Sequence, residues 1–142
     1  MAEQYLTAYV VDGAFPQAAA GLGEPVGEAT LPGRHWHELT PAFRAWGLTA
    51  LAELWSTPWN SPDDADPWPF PMYADPAHAS RIDAELTAFD VERVHDSHEL
   101  LPGGDDDAAE EVEWLLDEKF PTWFAAARTA GLGLYLLRDG AR

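Results

Sequence analysis

The last quarter of the chain constrains the fold most. Residues 106–137 read as a long acidic helix broken at Pro121, a second helical run and a closing strand. Val112, Leu115, Leu116, Phe120, Trp123, Phe124 and Ala127 recur at three- and four-residue intervals, the spacing of one buried helix face. Gly131 ends that helix, and the apolar run 133–137 is too short for a third helix, so it reads as an interior strand. Arg138, Asp139 and Gly140 are expected to form the turn after it. A helix that hands over to a buried strand needs other elements to cover both. The chain is therefore expected to be a single α+β domain over residues 1–142. Its small sheet should hold the N-terminal and C-terminal strands side by side, packed with about four helices.

The rest of the chain supplies candidates for those elements. Residues 4–12 alternate as a strand, with Tyr5, Thr7, Tyr9 and Val11 on one face and Leu6, Ala8 and Val10 on the other. An alanine-rich piece at 13–22 suits a short helix, and scattered Gly and Pro make 23–33 a loop. Thr40 and Pro41 are a cap-then-proline opening for a helix reaching about Ser56, with Phe43, Trp46, Ala50, Leu51, Leu54 and Trp55 on one side and Gly47 as a weak point. Residues 57–71 are rich in Trp and Pro, which predicts an extended loop. Its aromatics Trp59, Trp68 and Phe70, with Tyr73 just beyond, are candidates either for a lid over the core or for an exposed binding surface. Asp75 and Pro76 open a further helix through Ile82, Leu86 and Phe89, while 91–101 fits a short strand or a turn equally well.

Composition narrows the function classes. With 25 acidic residues against 8 basic ones, the formal net charge is −17. Such a chain repels nucleic-acid phosphates and anionic lipid, and it attracts a basic protein. With no cysteine, disulfides, thiolate nucleophiles and Cys-ligated metal sites are excluded. Residues 1–5 show no basic leader, and no apolar run is long enough to span a bilayer, so the expected location is the cytoplasm and no membrane partner is expected.

The order of elements resembles a known group. A strand, then Pro-Ala-Phe-Arg-Ala-Trp-Gly-Leu-Thr-Ala-Leu-Ala-Glu-Leu-Trp at 41–55, a Pro-rich segment, and Asp-Pro-Ala-His-Ala-Ser-Arg-Ile-Asp-Ala-Glu-Leu at 75–86 are similar to the layout of the YfbM-like small bacterial proteins of unknown function and related actinobacterial proteins. The alanine-rich last helical turn, the glycine after it and the apolar strand at 133–137 resemble that group's ending. The resemblance implies an α+β fold. It implies no activity and no site residues, because the group has no assigned function.

Two histidine clusters are the residues most able to do chemistry. His35 and His37 with Glu38, and His95 and His98 with Glu99, are imidazoles and carboxylates at spacings that can share one side of a strand or helical turn. Brought together, they would suit a divalent transition metal such as zinc with an open position. The alternative is that these rings cap helices or sit among surface acids, with no cofactor at all. No Gly-x-Ser-x-Gly elbow or phosphate-binding glycine loop is present, and Gly131-x-Gly133 follows a helix instead of preceding one. The sequence thus points first to a non-enzymatic acidic binding protein, in the manner of an immunity protein or antitoxin that neutralises a basic partner. The competing expectation is a small metal-dependent or acid–base enzyme, or a ligand-binding protein, acting on an apolar or aromatic small molecule.

Overall fold

The computed structural model describes residues 3–11, 24–32, 39–59, 67–101 and 106–140. β1 (Glu3–Val11) and β4 (Gly133–Gly140) pair antiparallel along their length, from Gln4 opposite Gly140 to Val11 opposite Gly133. The two terminal strands therefore form the centre of the sheet. β2 (Gly27–Pro32) borders β1, and β3 (Phe70–Ala74) borders β4, giving the antiparallel order β2-β1-β4-β3. The expected α+β architecture is observed.

Strand alternation sorts the side chains into two faces. Gln4, Leu6, Ala8, Ala29, Phe70, Met72, Ala74, Leu134, Leu136 and Arg138 are buried on the inner face, where the helices pack. Above them lie α1 (Thr40–Ala45), α2 (Thr49–Ser56), α3 (Pro76–Ala88), α4 (Glu92–Asp96), α5 (Asp106–Trp114) and α6 (Phe120–Ala130). An aromatic chain ties this layer together. Phe43 meets Trp55 edge-on at 5.7 Å, Trp55 meets Phe120 at 6.0 Å, and Phe120 touches Trp123 at 5.7 Å and Phe124 at 6.2 Å. Each such ring contributes roughly 2–3 kcal/mol on burial.

Four local expectations need correction. Residues 23–33 are not all loop, because β2 occupies Gly27–Pro32 with Ala29 inward and Glu28 and Thr30 exposed. Its flanking Gly and Pro masked a short edge strand. The helix expected through Ser56 is two helices, since Gly47 adopts φ 80° and ends α1 with its amide on the Arg44 carbonyl. Thr40 gives no side-chain cap; instead the Glu85 carboxylate of α3 accepts from the Ala50 and Leu51 amides and the Thr49 hydroxyl, capping α2 from outside. Pro121 does not break the tail helix. A π-helical turn over Leu115–Lys119, with the Phe120 amide on the Leu115 carbonyl, carries the chain past the proline ring and its missing N–H.

The remaining elements follow their signals. Asp75 caps α3 by accepting from the His78 amide at 2.8 Å, and Gly131 ends α6 at φ 69°. Residues 91–101 resolve as α4 and a 3-10 turn at His98–Leu100. The helix expected at 13–22 lies outside the described residues. No helix among the described residues is long and apolar enough to cross a membrane.

Candidate binding face

The outer face of the sheet carries an ordered set of aromatic side chains. Tyr9, Tyr135 and Tyr73 stand directly opposite one another on β1, β4 and β3, forming a row of three tyrosines across the strands. Tyr9 and Tyr135 have ring centroids 6.1 Å apart. Trp59 docks its amide on the Pro71 carbonyl at the outer edge of β3, and its indole meets Tyr73 at 5.8 Å and Tyr135 at 6.1 Å. Edge-to-face pairs of this kind contribute about 0.5–1.5 kcal/mol each beyond their buried area. Gly133 is part of the arrangement, because a Cβ there would lie 2.8 Å from the Tyr73 ring and 2.6 Å from the Ala74 carbonyl oxygen. Burial, and secondarily the Tyr9 charge, raises the Tyr135 phenol above its usual pKa.

This face grades from covered to open. At one end Val11, Gly133 and Tyr135 are buried; at the other, Tyr5 is 49% exposed. Tyr5 pairs with Thr30 on β2 and Asp139 on β4, and the next row reads Glu28, Thr7, Leu137, Pro71. Two exposed carboxylates, Glu28 and Asp139, therefore flank Tyr5 and Thr7. An aromatic ring between carboxylates is chemistry suited to an arginine or lysine side chain, which can lie on the ring and donate to the acids.

The four aromatics singled out in the sequence occupy three different settings. Trp59 and Tyr73 are half-buried and stack together on the outer face. Trp68 is half-buried beside the end of β4, where its indole N–H donates to the Gly140 carbonyl at 2.9 Å. Phe70 lies inside, 4% exposed, under the Arg138 guanidinium. Tyr5, Tyr9 and Tyr135 were missed as binding residues, although the alternation at 4–12 placed the first two on a common face.

The histidines are partly described. His35, His37 and Glu38 lie outside the described residues, as does the side chain of His98. His95 is exposed on α4 and pairs with Glu113 of α5 at 2.5 Å, and Glu99 is exposed. Among the described residues no three His, Asp or Glu side chains are grouped to hold a metal. His78, outside both clusters, is half-buried with its Nε2 2.8 Å from the Ala50 carbonyl oxygen.

Arg138 is the least expected residue of the structure. Read as part of a turn, it belongs to β4, faces inward and is 1% exposed. Its guanidinium lies between the Phe70 ring at 4.3 Å and the Trp55 ring at 4.6 Å. One Nη2 donates to the Trp55 carbonyl at 3.4 Å, near the C-terminus of α2 where the helix dipole is negative. Among the described residues its Nε and Nη1 have no acceptor and the buried Gln4 Oε1 has no donor. Burial pushes the guanidinium pKa down to about 10.

Comparison with known proteins places this arrangement in no group. No family model, no curated protein and no solved structure matches the chain.

Proposed function

We propose that this chain is a small acidic cytoplasmic interaction domain that holds a basic protein on the open end of its outer sheet face. It turns over no substrate and acts in the manner of an immunity protein or antitoxin. The observation that carries this reading is the exposed Tyr5 between the exposed carboxylates Glu28 and Asp139. The net charge of −17 supports it by steering a basic partner toward the domain. The same field disfavours nucleic acid and anionic membrane as partners. The resemblance to YfbM-like proteins is compatible with this role and assigns none of its own.

Immobilised protein exposed to a lysate of its source organism tests the reading. A basic protein should be retained at about 50 mM salt and released at about 500 mM, because rim charges lose their reach as the Debye length shrinks. The triple variant Tyr5→Ala/Glu28→Lys/Asp139→Lys should not retain it. Retention of no basic protein, or equal retention by the variant, would defeat the proposal.

A further inference from the structure

The strand register around Tyr5 selects between the two cations that an aromatic ring beside carboxylates attracts. Tyr5 is 49% exposed on the outer sheet face, away from the helical layer that packs on the inner one. Asp139 is its cross-strand neighbour on β4, about 5 Å away at the backbone, and Glu28 is its diagonal neighbour on β2, about 7 Å away. Because β2 and β4 flank β1, the two exposed carboxylates lie on opposite sides of the Tyr5 position. One of them is held in place. Asp139 Oδ1 accepts from the Gly140 amide at 2.7 Å, and the Gly140 carbonyl in turn accepts from the Trp68 indole N–H at 2.9 Å. Asp139 Oδ2 and the Glu28 carboxylate are the acceptors that this corner of the face offers a partner.

We infer that the residue seated on Tyr5 is an arginine of the basic partner, with its guanidinium flat on the phenol ring, one edge donating to Asp139 and the other to Glu28. The inference rests on the proposed docking of a basic protein at this face and names the group that the face reads. A guanidinium is planar, weakly hydrated, and carries its five N–H donors outward in its own plane. It therefore stacks on a ring and reaches acceptors on both sides at once. A lysine ammonium is a compact, strongly hydrated charge whose three donors fan out from one nitrogen. Over the ring it reaches only one of two carboxylates set on opposite sides. The net charge of −17 attracts both cations alike, so the ring and the placement of the two acids separate them, and the field does not.

The test titrates the whole protein by calorimetry with hexa-arginine and hexalysine peptides, equal in charge, at about 50 mM salt. Hexa-arginine should bind about 5-fold tighter or better. Tyr5→Leu should bring the two peptides within about 2-fold of each other by weakening hexa-arginine alone, whereas Tyr5→Phe, which keeps the ring, should retain the preference. Equal binding of the two peptides by the wild type, or a preference that survives Tyr5→Leu, would overturn the arginine assignment and leave the docking of a basic partner standing. Binding of neither peptide would remove both.

Discussion

Replacing Arg138 with methionine should leave the protein about as stable as it is now, or more so, although the residue is among the most buried in the chain. Burial holds the guanidinium pKa well below its usual value, down at about 10. At 1.36 kcal/mol per pH unit, keeping it charged costs about 3 kcal/mol at neutral pH. Against this stand two cation–π contacts, together about 2–4 kcal/mol when desolvated, and one long hydrogen bond of under about 1 kcal/mol. The terms nearly cancel. Methionine fills much of the same volume, favours contact with Trp55 and Phe70, and carries no charge to desolvate, so the variant should lie within about 1.5 kcal/mol of wild type. Arg138→Ala, which leaves a cavity between the two rings, should cost about 2–4 kcal/mol. The sign of the pH dependence follows from linkage. Above about pH 10 the unfolded chain, with its higher guanidinium pKa, binds more protons at this site than the folded one, so wild type gains relative to the methionine variant only as pH rises through about 10. Urea denaturation of the three proteins at pH 7, and of wild type and Arg138→Met up to pH 10.5, measures all of this. A methionine variant weaker by more than about 3 kcal/mol would show that the guanidinium is fully satisfied, and the reasoning would fail.

Other changes have simpler expected outcomes. Gly27→Ala places a Cβ 2.1 Å from the Trp123 indole nitrogen, and Trp123 is wedged against Phe120, so thermal unfolding should show a loss of about 2–3 kcal/mol. Gly131→Ala meets nothing in space but must hold φ 69°, so it should cost about 1 kcal/mol, with Gly131→Asn costing less. Glu85→Ala removes the carboxylate that caps α2 and should cost about 1–2 kcal/mol in urea denaturation, with Glu85→Gln recovering part of it. The raised Tyr135 pKa adds stability that is present below about pH 10 and lost as pH climbs through the folded value. Tyr135→Phe should therefore unfold less readily on going from pH 9 to pH 11 than wild type does.

The fold was largely legible where periodicity and burial agree. The tail face from Val112 to Ala127 and the two-faced alternation at 4–12 led to the core helices and the central strand pair, because one buried stripe and one buried sheet face leave few alternatives. The pattern could not show Gly47 splitting a helix, since a left-handed glycine and a tolerated helical glycine look the same in sequence. Nor could it show the π turn before Pro121, which depends on how the helix passes the ring. β2 and β3 were hidden by the Gly and Pro that edge strands tolerate. For the candidate face, the sequence named Trp59 and Tyr73 but not the row that organises them, because cross-strand register is a tertiary fact. Arg138 was misread for a related reason: a charged residue followed by Asp-Gly signals a turn, and only the pairing with Leu6 and Phe70 turns it inward.

The central claim is that a defined patch, and not merely the overall acidity, holds a basic partner. It is tested most directly by comparing two double charge reversals that change the net charge equally. Glu28→Lys/Asp139→Lys alters the outer sheet face, whereas Glu92→Lys/Glu110→Lys alters exposed positions on α4 and α5 in the helical layer. Affinity for the retained basic protein, measured by titration calorimetry at fixed salt, should fall at least about 30-fold for the first pair and less than about 3-fold for the second. Equal losses from both pairs would mean that only the general field attracts the partner, and the assignment of the sheet face would be wrong.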